Sequence, residues 1–414
     1  MLPRMGYEPE RVVLERYARL LVEFALGHGN GIQPGDVVQI NGTDACKPLY
    51  VESCKAVWRA GGHVIHAYRP SEDQTDDVRR AFYEMASDEQ IGFLPEAYAR
   101  ALVDQVDHDL VIYSPSIPRS LDGIDPARQM AHEQARKPVR DWEQEKENRG
   151  DYSWTVASYG TPGMAAEAEM SAEQYWAQII KACFLDQEDP VARWREVRAT
   201  IGSTRERLNA LPITRVHVEG PDADLWVALG EDRQWKDGVG ANMPSFELFT
   251  SPDWRGTEGW IRFSEPLYAF GSLIKGVELE FRGGRVATAM AAENEPLLHE
   301  MIATENADKV GEFSLTDARL SPIDHFMADT LYDENVGGPF GNTHLALGNA
   351  YQDTYVGDPA SLTPEDWERL GFNESAIHTD IVSTADRTVT ATLHDGSERV
   401  IYADGQFQLD DAGA

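Results

Sequence analysis

Up to about Arg205 the chain alternates between two apolar periods, and no other feature narrows its fold as much. Val13, Tyr17, Leu20, Leu21 and Phe24 recur at helical steps of three and four, in a run that ends near Gly27. Val37–Ile40 is a β-branched stretch introduced by Pro34-Gly35. Lys47–Ala60 returns to the helical period, with Pro48 in its first turn and Gly61-Gly62 as its stop. His63–Ala67, Leu110–Tyr113 and Trp154–Tyr159 read as further strands, and Asp122–Arg149 and Ser171–Asn209 as helical zones. Helices between strands predict βαβ units, because parallel neighbours need a long crossover connection. Residues 1–205 are therefore predicted to form an α/β domain with a mostly parallel sheet.

Residues 206–414 have a different texture. Arg215–Val218, Trp260–Phe263, Gly276–Phe281 and Val286–Met290 read as strands, the last two joined by the hairpin signal Arg282-Gly283-Gly284-Arg285. Glu295–Glu305 reads as a helix; Ile377–Val382, Thr388–Leu393 and Val400–Tyr402 read as strands. An α+β domain with antiparallel pairs is predicted, ending in a tail, Asp410–Ala414, expected to fray.

Charge removes whole classes of function. Seventy Asp and Glu stand against 37 Lys and Arg, a net of −33, and only eight of the basic residues are Lys. Such a surface repels nucleic-acid phosphates and anionic lipid, so neither partner is expected. It also repels itself until molar salt shortens the Debye length to about 3 Å, which predicts adaptation to high salt. Three cysteines are too few for a disulfide framework in 414 residues. With no apolar leader and no long apolar run, the expectation is a cytoplasmic protein without a membrane span.

Common catalytic signatures are missing. Gly271–Gly276 has P-loop glycine spacing, but Val277 stands where Lys is needed. Gly27–Gly31 follows a helix rather than a strand, so it is no dinucleotide fingerprint. There is no G-x-S-x-G elbow and no Cys-x-x-Cys, and His299-Glu300 lacks its second His because Ala303 occupies the position. What remains is a set of nitrogen and oxygen ligands in five stretches of the second half. Asn242–Pro252 carries Glu247, Val310–Leu315 carries Glu312, and Leu331–Asn335 carries Glu334. Thr343–Gly348 carries His344, and Ile377–Val382 carries His378 and Asp380. In a strand, His378 and Asp380 point to one face roughly 6.6 Å apart, where they can grip one metal, grip two, or form a buried ion pair. Taken singly, the other residues suit caps, salt-bridge partners or a core histidine as well as they suit ligands.

In order and composition, these five stretches resemble the aminopeptidase T family of thermophilic metallo-aminopeptidases. The matching segments are N-M-P-x-x-E-x-F-T-x-P at Glu247, G-E at Glu312, L-Y-D-E-N at Glu334, H-L-A-L-G at His344 and I-H-x-D at His378 and Asp380. Weaker likeness extends over nearly the whole chain. The chain departs from the family between Glu334 and His344, where Asn335–Thr343 is longer than expected, and at Thr343, where a small thiol is expected.

The resemblance implies a dinuclear site with Glu247, Glu312, Glu334, His344, His378 and Asp380 as ligands to two divalent ions, Zn, Co or Mn. Glu312 or Asp380 would be the bridge. A water held there would attack the first peptide bond of a short unblocked peptide, and Tyr351 would donate to the oxyanion. It also implies a homodimer enclosing a chamber. Two other readings stand beside it: a different dinuclear amidase or dipeptidase, and a non-catalytic α/β binding protein.

Overall fold

The computed structural model describes residues 7–72 and 77–409. The first residues of the chain and the tail Asp410–Ala414 lie outside the described residues. In the first half, a parallel sheet runs in the order His63–Arg69, Val37–Thr43, His108–Tyr113, Ser153–Ser158 and Asn242–Met243. Its second strand alternates strictly, burying Val38 and Ile40 completely. Helices supply the cover: the leading helix Arg11–Leu20 packs on the crossover helix Lys47–Arg59, and Tyr17, Leu20 and Leu49 are fully buried. The long helix Pro126–Asn148 starts where Asp125 accepts a hydrogen bond from the Ala127 N–H, and Pro190–Asn209 starts at Asp189 in the same manner. Four helices of this half escape the sequence reading: Val78–Met85, Asp88–Ile91, Glu96–Gln105 and Pro162–Glu167. Each buries only one or two residues, so its apolar stripe is too thin to register as a period.

The C-terminal half also supplies a strand to the first sheet, since Asn242–Met243 pairs in parallel with Val156-Ala157. The rest of that half is antiparallel, as its texture predicts. An eight-stranded sheet contains the Glu278–Arg282/Arg285–Met290 hairpin and pairs Thr388–Leu393 with Ile213–Gly220, joining the two ends of the half. A second, five-stranded sheet runs His378–Ser383, Asn342–Gly348, Val310–Thr316, Glu247–Thr250 and Lys236–Asp237. All seven residues of Val310–Thr316 and all seven of Asn342–Gly348 are buried. A strand covered on both faces loses the polar–apolar alternation that marks a half-buried one. That sheet carries the candidate site.

Candidate metal centre

Register brings the acids and imidazoles of distant segments together. Directly opposed residues of an antiparallel pair share a face. Glu312 lies opposite Ala346, and Ala346 opposite Asp380; Ser314 lies opposite His344, and Thr316 opposite Glu247. His378 stands opposite Gly348, two residues before Asp380 and on the same face. Glu247, Glu312, His344, His378 and Asp380 thus project from one side of the sheet. The methyl of Ala346, between Glu312 and Asp380, leaves room between their carboxylates. Glu334 arrives from elsewhere, at the C-terminal cap of the short helix Thr330–Asp333.

The distances define a paired arrangement. His344 Nε2 lies 3.1 Å from Glu247 Oε2 and 3.3 Å from Glu312 Oε1. His378 Nε2 lies 3.3 Å from Glu312 Oε2 and 3.4 Å from Asp380 Oδ1. Each oxygen of the Glu312 carboxylate therefore faces a different imidazole. Three overlapping triads have ligand atoms within 4.8 Å of one another: Glu247–Glu312–His344, Glu312–His378–Asp380 and Glu334–His344–Asp380. All six residues singled out in the sequence meet at one centre, and Tyr351 packs its ring 4.6 Å from that of His378.

The longer loop after Glu334 is tied down at both ends. Asn335 Oδ1 accepts from the Phe246 N–H at 2.6 Å, next to Glu247, and its Nδ2 donates to Leu331 O. Asn342 Nδ2 donates to Asp333 O at 2.8 Å. Asn242, on the strand lent to the parallel sheet, donates from Nδ2 to Glu334 Oε1 at 2.9 Å. The extra residues between Asn335 and Asn342 therefore leave Glu334 beside His344.

Outer partners set the tautomers. His378 Nδ1 donates to Asn349 O at 2.7 Å, and His344 Nδ1 faces Asn342 Oδ1 at 3.3 Å, so both Nε2 atoms point at the carboxylates. The Nε2 atom of His378 is buried and has no hydrogen-bond partner among the described residues. A proton or a cation must separate that nitrogen from Glu312 and Asp380. Burial alone would lower both imidazoles, yet the neighbouring carboxylates hold His344 and His378 well above the usual histidine range. Burial and the adjacent Glu247 push the Glu334 carboxyl well up, whereas His378 outweighs burial and draws Asp380 down. Four acids around two imidazoles leave excess negative charge, and an all-nitrogen and oxygen donor set of this kind suits Zn, Co or Mn. The residues fit divalent cations.

The sequence reading passed over Asn242, Ser314, Asn342, Asn349 and Gly238. Asn342, His344, Ala346 and Gly348 form a period-two row of polar or small residues, the one local signal of a strand face built around a site. Gly238 has a steric reason. A Cβ there would stand 2.5 Å from Glu247 Oε1 and 2.5 Å from Ser245 Oγ. Gly238→Ala should therefore displace the Glu247 carboxylate and lower kcat/KM about 10- to 100-fold, the usual cost of disturbing a ligand's support. Because the glycine has no left-handed φ, the melting temperature should hold within a few degrees; a steady-state assay beside a thermal melt checks both.

Comparisons with known proteins agree with this geometry. A family model described as thermophilic metalloprotease (M29) matches residues 11–407. Aminopeptidase PepS of Streptococcus thermophilus is 28% identical, covering 96% of this chain and 98% of its own length. Aminopeptidase T of Thermus thermophilus is 27% identical, covering 95% and 98%. The solved structure of wild-type AmpT from Thermus thermophilus superposes with a TM-score of 0.77 at 25% identity, over 96% of this chain and 99% of that one. A match over nearly the whole length, with four of the five stretches on one sheet face and the fifth brought to it by a short helix, settles the kinship: the chain belongs to the thermophilic metalloprotease (M29) family.

Proposed function

We propose that this protein is a metal-dependent aminopeptidase that removes the N-terminal residue from short unblocked peptides with two divalent ions. The relatives' names support the aminopeptidase activity. The observation that carries the dinuclear reading is Glu312, whose two oxygens each lie 3.3 Å from a different imidazole, the disposition of a bridging carboxylate. Glu247, His344 and Glu334 would serve one ion, His378 the other, with Glu312 and Asp380 between them. When bound, such ions polarise the scissile carbonyl and make water a nucleophile near neutral pH.

The chain's own groups do the rest. Burial and the surrounding carboxylates raise the Tyr351 phenol well above its ordinary range, so Oη keeps its proton. A protonated Oη can donate to an oxyanion as negative charge develops there. Asn242 holds the Glu334 carboxylate in place, and Asn349 and Asn342 keep both imidazoles facing the cleft. The aromatic rings of Phe249, Tyr351 and His378 pack in sequence and exclude bulk water from that wall.

The test is the release of free amino acid by metal-supplemented enzyme from a dipeptide and from its N-acetyl derivative, beside metal analysis of the same sample. Cleavage of the unblocked peptide alone, with about two ions per chain, is the expected result. Turnover of the acetylated peptide would favour the amidase or dipeptidase reading. Three buried free cysteines support a reducing, cytoplasmic setting, and the acid excess supports a high-salt one. No helix among the described residues is long and apolar enough to cross a membrane. The homodimer belongs to the same reading and rests on the resemblance alone.

A further inference from the structure

The ligands open onto a cavity of about 150 Å³ between the two halves of the chain, and its wall is strongly acidic. Beyond the candidate ligands it includes Glu147 and Asp353. A peptide's free carboxylate placed in this cavity needs a cationic donor to replace the water it loses.

Three basic side chains line that cavity besides the imidazoles: Arg198, Arg205 and Lys236. Two stand on the helix Pro190–Asn209 rather than on the ligand-bearing sheet. Arg198 donates to the carbonyls of His28 and Gly29, at 2.9 and 3.0 Å. Arg205 pairs with the buried carboxylate of Asp237 at 2.5 Å. Lys236 has a single ion pair among the described residues, with Asp353 (Nζ–Oδ2 3.4 Å). An ammonium carries three donors, so Lys236 has capacity left for a ligand.

Its place in the sheet aims it at the site. Lys236 lies opposite Phe249, Phe249 opposite Ser314, and Ser314 opposite His344, so all four share the ligand-bearing face. Two strand spacings put Lys236 about 10 Å across the sheet from the Ser314 position. A dipeptide or tripeptide in extended form reaches roughly 7–10 Å from its N-terminus, and the flexible four-carbon stem of a lysine can close what remains.

On the aminopeptidase reading, we infer that Lys236, oriented by Asp353, binds the free α-carboxylate of di- and tripeptide substrates and sets the preference for short peptides. Of the three basic side chains Lys236 alone stands on the ligand-bearing sheet face, so it is the one placed to select against C-terminally blocked peptides. Lys236 is a specificity residue rather than a participant in bond cleavage.

The experiment compares a neutral dipeptide with its C-terminal amide on metal-loaded wild type, Lys236→Met and Lys236→Arg, with KM and kcat measured separately. Wild type is expected to favour the free acid at least tenfold in kcat/KM. Lys236→Met should lower that acid-to-amide ratio at least tenfold through the KM of the acid, and Lys236→Arg should restore most of it. Calorimetric binding of a non-cleavable dipeptide isostere, as acid and as amide, reads the same preference without turnover. An acid preference in binding that Lys236→Met removes, with neither peptide cleaved by wild type, would overturn the aminopeptidase reading and leave the assignment of Lys236 standing. Equal handling of acid and amide by wild type, or equal losses on both in Lys236→Met, would overturn the inference.

Discussion

Glu312→Gln is expected to lower kcat/KM by about 10³-fold or more and to reduce bound metal from two ions toward one. Glu312 belongs to two of the three ligand triads, and each of its oxygens serves a different imidazole. An amide keeps the shape but offers one neutral oxygen where two anionic ones stood, so both ion positions lose a ligand at once. Disturbing an outer-shell partner usually costs 10- to 100-fold, and a shared inner ligand should cost more. The fold should not suffer. Glu312 is 3% exposed and shares its surroundings with Glu247, Glu334 and Asp380, so in the chelated protein the like-charge repulsion it loses offsets the contacts it gives up to His344 and His378. A thermal melt in the presence of a chelator should place the variant within a few degrees of wild type. Activity above a few per cent of wild type, at saturating metal, would remove Glu312 from the bridging role.

That prediction rests on convergence, and only part of the convergence is legible in the residues themselves. His378 and Asp380 can be read directly, because their strand keeps a visible alternation and places them on one face. Glu312 and His344 cannot. Their strands are buried on both sides, and an acid or an imidazole inside an apolar run looks the same whether it caps, pairs or ligates. The likeness to a family supplies their meaning; register supplies their position. Glu334 depends on side chains that no period announces. Asn242, 92 residues away, and the adjacent Asn335 both donate to its Oε1, while Asn342 donates to the carbonyl of Asp333 just before it. The parallel sheet is legible almost strand by strand, apart from Asn242–Met243, which is too short and too far along the chain to be assigned to it. Lys236 sits in a strand of two residues, below the length at which alternation exists. Functional positions on fragments that short come into view only through pairing.

His378→Ala should abolish measurable turnover, a loss of at least 10²-fold, with bound metal again falling toward one ion per chain. Small cost to the fold is expected for a specific reason. The imidazole faces the cavity, with 20% of its side chain accessible, so its removal enlarges an existing space rather than opening a void in packed core. What it loses is an Nε2 lone pair whose direction is set with care. Nδ1 donates to Asn349 O, and that carbonyl approaches Gly311 so closely that a Cβ there would stand 2.2 Å from it. Gly311 lies at the irregularity in register just before Glu312, so one local distortion both admits the Asn349 carbonyl and places the carboxylate that faces His378. Two variants separate ligation from packing. Imidazole added to His378→Ala should restore part of the activity and of the metal content, since the free base can occupy the vacated position beside Tyr351. Gly311→Ala, which keeps the histidine but pushes on its acceptor, should lose activity with the metal partly retained. If His378→Ala instead kept its full metal content and lost activity without response to imidazole, His378 would be a wall of the substrate cavity, and the second ion would need other ligands.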